Sequence, residues 1–335
     1  MNQNEDFEFN GFPKVRLRRL RRTSAIRDLL QETRLSVKDL VYPVFIQEGI
    51  NEPKEIELMP GIFRIPIKNL VKNIQELCDL GVKTFLVFGI PKLKNDRATS
   101  AYRKDGIVQE SVKTLKKNFG EKIVTITDVC LCQYTSHGHC GIIRNKVADN
   151  DESLKILDRI ALSHAEAGAD FVAPSAMMDG QVKSIRKALD NSSFNNVGII
   201  GYSAKLSSNL YTPFRDASHS TPEFGDRKSY QMPFYNTNEA LQEITMDIEE
   251  GADIIMIKPA LPYLDLIYKT RQTTLLPVCA YSVSGEYSIV KAAALEGWVN
   301  EDEIVMEFAT SIKRAGADII ISYHTKKIAE ILNSS

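Results

Sequence analysis

The stretch GADIIMIKP, Gly251 to Pro259, decides the fold. Ile254 to Ile257 are apolar without polar alternation, which suits a parallel strand covered on both faces. Pro259 cannot donate to a ladder and ends the strand. Gly251 sits where the residue after a helix turns left-handed, so a helix precedes the strand. The same Gly-Ala-Asp punctuation returns at Gly168 and Gly316. Apolar, β-branched runs recur outward from this point: VYPVFI (41–46), KTFLVFGI (83–90), KIVTITDVCL (122–131), ADFVAPSAM (169–177), VGIIGYSAK (197–205), PVCAYSV (277–283) and ADIIISY (317–323). Helix-like segments such as IKNLVKNIQELCDLG separate them, and no Gly/Ser/Pro-rich linker intervenes. Eight such units predict an α/β protein, a (β/α)8 TIM barrel over residues 36–335, rather than a doubly wound sheet. No G-x-G-x-x-G or Walker signature follows a strand, which weakens a nucleotide-binding reading.

A barrel carries its chemistry at the C-terminal ends of its strands. The unusual residues fall there: Asp128 and a cysteine cluster, Pro174-Ser175, Lys205, Lys258, Ser282 to Gly285, and Tyr323. Lys258 closes an apolar strand, and burial disfavours its ammonium form. A neutral amine can attack a carbonyl and form a Schiff base. A snorkelling or carboxylate-paired lysine is the plainer alternative. Lys205 ends the adjacent strand about 4.8 Å away, so each charge opposes the other.

In TDVCLCQYTSHGHCG, Thr127 to Gly141, three of the five cysteines lie close together. Cys130, Cys132, Cys140 and His139 can close a structural metal site, whereas three ligands with one open position make a catalytic one. A C-x-C redox pair is the remaining alternative. Cys78 and Cys279, alone in apolar surroundings, read as core. The long segment NLYTPFRDASHSTPEFGDRKSYQM reads as a lid, with Arg215 and Arg227 suited to a substrate carboxylate or, more plainly, to solvent.

The 335 residues can bury a large core, and the net charge of −1 gives no bulk attraction to nucleic acid or an acidic membrane. No apolar run approaches the roughly 20 residues that span a bilayer. The opening MNQNEDFEFNGF lacks a leader's charged start and apolar core, and an odd cysteine count is no disulfide framework. A cytoplasmic protein is expected. Residues 1–35, including KVRLRRLRRTSAIRDLL, read as a basic, partly helical extended N-terminal arm lying on its own or another subunit, since no aromatics interleave for base stacking.

These motifs resemble those of the porphobilinogen synthase (5-aminolevulinate dehydratase) family along nearly the whole chain. DVCLCQYTSHGHCG is similar to its zinc-binding stretch; YSAKLSSNLYTPFRDA, GDRKSYQM, IKPALPYLD and YSVSGEYS are similar to its active-site segments, in the same order. The resemblance implies a lyase of tetrapyrrole (heme) biosynthesis that condenses two 5-aminolevulinate molecules to porphobilinogen with loss of two waters. It implies the Schiff base on Lys258, with Lys205 as second active-site lysine. Ser284 and Tyr323 would hold the first carboxylate, and Arg215, Arg227 and Gln231 the second. Cys130, Cys132 and Cys140 would bind Zn2+, with Asp128 and His139 supporting, and Glu243 would support an allosteric Mg2+. A homo-octamer with embracing arms is implied as well. Three positions depart from the family pattern: Ala176 for a usual aspartate, Gln181 for a usual arginine, and Pro233-Phe234 after Met232. A carboxylate role at position 176 would then pass to Asp128 or Asp179. Two rival readings use the same residues, a Schiff-base aldolase and a non-catalytic metal-binding scaffold.

Overall fold

The computed structural model describes residues 11–334. All but Gly11 and Phe12 of the acidic opening MNQNEDFEFNGF lie outside them. The chain divides between Arg34 and Leu35. Before the division, a short 3₁₀ turn, Leu17–Leu20, is followed by a helix, Ser24–Leu29, whose first turn is capped by the Thr23 hydroxyl. This segment buries none of its described residues.

From Leu35 onward, eight parallel strands close on themselves: β1 (Leu40–Gln47), β2 (Thr84–Ile90), β3 (Val124–Val129), β4 (Phe171–Pro174), β5 (Gly198–Lys205), β6 (Ile254–Lys258), β7 (Val278–Ser282) and β8 (Ile319–Ser322). Each pairs with the next in chain order, and β8 returns to β1 with Leu40 opposite Ile320. All eight apolar runs form strands, the first one residue longer at each end and the others trimmed. β3 stops at Val129, for example, so Cys130 stands just beyond it.

Burial on both sides explains the missing alternation. In β1 and β2, Phe45, Leu86 and Phe88 join one apolar cluster. Their neighbours Val44, Ile46, Phe85 and Val87 pack in another, with Leu70, Ile74 and Leu77 of helix Ile67–Asp79. Truncating such a side chain to alanine costs about 2–5 kcal/mol. The Gly-Ala-Asp glycines have φ of +101°, +100° and +118° at Gly168, Gly251 and Gly316, the left-handed turn expected of them.

Two additions decorate the C-terminal mouth. A hairpin, Lys54–Ile56 and Met59–Ile65, sets Arg64 beside Phe45 of β1. The segment after β5 folds into a 3₁₀ turn, Asn209–Tyr211, and a helix, Thr212–Ala217. Among the described residues no helix is long and apolar enough to cross a membrane.

Candidate functional site

β5 and β6 end level with one another: Lys205 and Lys258 are register partners. Both are buried, at 6% and 5% exposure. The Lys258 ammonium nitrogen faces four aromatic rings, with centroids at 4.3 Å (Tyr281), 5.1 Å (Tyr202), 5.2 Å (Phe214) and 5.4 Å (Tyr211). Burial, and next the charge of Lys205, lower its pKa to about 7. Asp128 opposes that shift from close by. The Lys205 amine donates a hydrogen bond to the Ser175 carbonyl just beyond β4. Burial raises the Asp128 carboxyl, while Lys205 works in the other direction. Asp179 instead lies exposed, its amide donating to Asn150 Oδ1 at 2.8 Å. Of the two carboxylates considered for the role vacated at Ala176, the structure brings Asp128 to the lysines.

The cysteine loop begins where β3 ends. The Sγ atoms of Cys130, Cys132 and Cys140 lie within 4.8 Å of one another, all buried, in a group that could hold a metal ion. No other group of three or more His, Cys, Asp or Glu ligand atoms meets that spacing among the described residues. All five cysteines are free, and Cys130 and Cys132 Sγ are 3.5 Å apart. The Cys140 thiol is held well below its ordinary range, chiefly by hydrogen bonds from Cys130 and then Cys132, with Arg227 and Lys205 assisting. Burial pushes the Cys130 thiol well up, and Cys132 is raised to about 11, so the trio by itself readily carries one negative charge, and a bound cation would draw off the other protons. Gln133 links it to the lysines: Cys132 Sγ meets Gln133 Oε1 at 3.4 Å, and Gln133 Nε2 donates to Asp128 at 3.0 Å. His139 has both ring nitrogens engaged, with Tyr230 Oη at 3.0 Å and the Phe224 carbonyl at 2.9 Å. It therefore supports the loop from outside the trio.

The lid is tied to this loop. Arg227, 5% exposed, donates from Nη2 to the carbonyls of Gly138 (2.8 Å) and Ser220 (2.5 Å). Gly138, at φ +71°, lets the chains approach so closely that a Cβ there would lie 2.5 Å from the Thr221 carbonyl oxygen. Arg215 is half-buried with its Nε unpartnered, and Gln231, 1% exposed, leaves both amide atoms unpartnered. Unmet polar atoms at such burial mark a place where a ligand would complete the bonding. A cleft of about 590 Å³ is lined by Arg215, Arg227, Ser207 and Tyr263, and neither lysine lines it. Ser284 spends its hydroxyl on the lid base, donating to the Leu210 carbonyl (3.1 Å) and accepting from the Phe214 amide (3.0 Å). Tyr323 pairs its hydroxyl with Tyr281 at 3.0 Å.

The barrel mouth and its lid thus carry Lys205, Lys258, Asp128, the three cysteines, His139, Arg215, Arg227, Gln231, Ser284 and Tyr323, whereas Asp179 and Glu243 lie apart from them. Glu243 lies on helix Thr237–Glu249, where burial and then Asp179, Glu250 and Glu239 raise its carboxyl. Sequence reasoning missed the rings around Lys258, although Tyr202 and Tyr281 each sit three residues or fewer from a strand end. It also missed Glu286, which accepts from the Val283 and Leu261 amides at 2.5 and 2.6 Å and is raised by burial to about 7.

The sequence pattern of the delta-aminolevulinic acid dehydratase family matches residues 14–331. The chain belongs to that family. Dehydratases of the family from Archaeoglobus fulgidus and Methanothermus sociabilis are 52% and 54% identical to it, each covering 95% or more of this chain and 99% of the relative. The Bacillus subtilis dehydratase is 50% identical over 317 residues. A solved structure of the Toxoplasma gondii enzyme, in complex with its reaction product porphobilinogen, superposes with a TM-score of 0.92 at 39% identity, covering 95% of this chain and 91% of that one. The dehydratase fold is therefore that of a closed (β/α)8 barrel here, as the eight strands required.

Proposed function

We propose that the protein is a porphobilinogen synthase, a lyase that joins two 5-aminolevulinate molecules into one pyrrole with loss of two waters. The observation that carries this is Lys258: a buried amine at a barrel strand end, walled by aromatic rings, with a second lysine in register and three thiols nearby. With its pKa near 7, a large share of the amine is neutral at physiological pH. The neutral nitrogen adds to the ketone carbon of the first substrate, and loss of water leaves the protonated imine. The imine withdraws electrons from the adjacent carbon, which then releases a proton more readily. The aromatic wall and the lid exclude water, so the imine is protected from hydrolysis.

Asp128 and Lys205, the charged groups that act most strongly on Lys258, are the groups that take and return protons there. Arg215 and Gln231, with unmet polar atoms under the lid, are suited to grip the second substrate's carboxylate. Arg227 seats the lid on the cysteine loop. Ser284 and Tyr323 remain assigned to the first carboxylate, Ser284 through a hydroxyl that also braces Leu210 and Phe214. Cys130, Cys132 and Cys140 suit Zn2+: two thiolates at about 2.3 Å from a tetrahedral ion are about 3.8 Å apart, bracketed by the observed 3.5 Å contact and 4.8 Å limit. When bound there with an open position, zinc supplies Lewis-acid polarisation of a carbonyl or a water of lowered pKa. Glu243 would support an allosteric Mg2+ apart from this chemistry. A cytoplasmic homo-octamer, with residues 1–35 as an arm embracing a neighbour, completes the reading.

The test is turnover of 5-aminolevulinate to a pyrrole that reacts with an aldehyde dye, with and without a chelator. Pyrrole formation that the chelator suppresses and zinc restores is expected. No pyrrole would return the case to an aldolase or a scaffold.

A further inference from the structure

One group at the barrel mouth has no part in the chemistry above. His219, in the segment that carries Arg215, is held from the far side of the mouth by two cations. Lys94, in the loop after β2, donates from Nζ to the His219 carbonyl at 2.5 Å. Arg64, on the hairpin strand beside β1, places Nη1 2.5 Å from His219 Nε2. His219 itself has φ +49°, a left-handed conformation that a residue with a Cβ keeps only where its surroundings hold it. Its next neighbour ties this point to the lid: the Ser220 amide donates to the Arg215 carbonyl at 2.9 Å, and the Ser220 carbonyl accepts from Arg227. The lid leaves β5 and is pinned to the loop after β3 by Arg227; on the β1–β2 side it is held at its base by the Phe214 ring, 5.7 and 5.0 Å from the Phe45 and Phe88 rings, and farther along by His219. Burial lowers the pKa of His219, with Arg64 and Lys94 adding to that, in keeping with a neutral ring accepting from Arg64.

We infer that Arg64 and Lys94 are positioning residues: by capturing His219 they hold the lid shut so that Arg215 is presented to the second substrate. The inference rests on the function proposed above, and neither cation need touch substrate. With the latch removed, the lid stays attached through Arg227 and Phe214 but loosens around His219, the point from which the Arg215 carbonyl is braced. Binding of the second substrate then weakens, while imine formation on Lys258, which needs only the first, continues.

The test compares the full-length parent with Arg64→Met/Lys94→Met. Expected are a KM for 5-aminolevulinate about tenfold higher, tryptic cleavage after Arg215, Arg227 or Lys228 about tenfold faster, and borohydride trapping on Lys258 within twofold of the parent. Lys94→Arg, which can reach the same carbonyl, should return most of the effect of Lys94→Met. KM and cleavage rate both within twofold of the parent would overturn the latch. So would a loss of trapping in step with turnover, which would mean that the cations shape the lysine site itself. If the double variant does not fold, Lys94→Met alone is read the same way, with about a threefold change expected. A parent that makes no pyrrole sinks the proposed function, yet the cleavage rates still decide for or against the latch.

Discussion

Replacing Lys205 by methionine tests the second cause of the Lys258 pKa shift, because the side chain stays long and unbranched while its charge is lost together with the hydrogen bond to the Ser175 carbonyl. The two ammonium nitrogens lie 5.5 and 5.1 Å from the same Tyr202 ring centroid, so they are no more than about 11 Å apart. At an effective dielectric near 20, two unit charges about 11 Å apart repel by about 1.5 kcal/mol, or about one pKa unit. Removing Lys205 should therefore raise Lys258 from about 7 toward about 8 or beyond. The neutral fraction at pH 7 then falls from about a half to about a tenth, and the two proteins converge above about pH 9. The sign follows for stability too. The unfolded lysine binds more protons than the folded one between about pH 7 and 10.5, so Lys258 makes the fold more stable as pH rises through that window. The assay is the initial rate of cyanoborohydride trapping of 5-aminolevulinate on the Lys258 peptide, by mass spectrometry, from pH 6 to 9.5. Relative to its own alkaline plateau, Lys205→Met should be about fivefold slower at pH 7 than the parent is relative to its plateau, with the midpoint about one unit higher. An unmoved midpoint, or one displaced to lower pH, would refute the coupling of the two amines.

Lys258→Ala should abolish both trapping and pyrrole formation; a label recovered on Lys205 instead would reassign the nucleophile. Cys132→Ala leaves two thiols where three stood and should lower metal affinity more than about 100-fold, more than a change beyond the ligands does; zinc content by atomic absorption, unchanged together with rate, would speak against a catalytic metal. Arg215→Met should raise KM for 5-aminolevulinate by more than about tenfold, as expected for a lost charge-assisted contact of about 1.5–3 kcal/mol, with Lys258 trapping intact. Gly138→Ala puts a Cβ against the Thr221 carbonyl at a left-handed φ and should loosen the lid by about 1–3 kcal/mol, read as faster hydrogen exchange over 219–227 at nearly constant Tm.

Much of this protein could be read from residue order alone. Consecutive apolar residues in strands covered on both faces, and Gly-Ala-Asp after helices, are local consequences of backbone geometry, and they announced eight strands. Two lysines at strand ends and three cysteines within eleven residues were likewise visible, because their chemistry is carried by residue type and short spacing. Only the tertiary structure set the two amines in register, closed four rings around one of them, and engaged His139 with the lid rather than with the thiols. It also turned Ser284 toward Leu210 and Phe214, and brought Arg64 and Lys94 across the mouth to His219. Those contacts join residues up to 155 positions apart. They depend on where a closed barrel places its loops, and no local preference for helix, strand or turn records that.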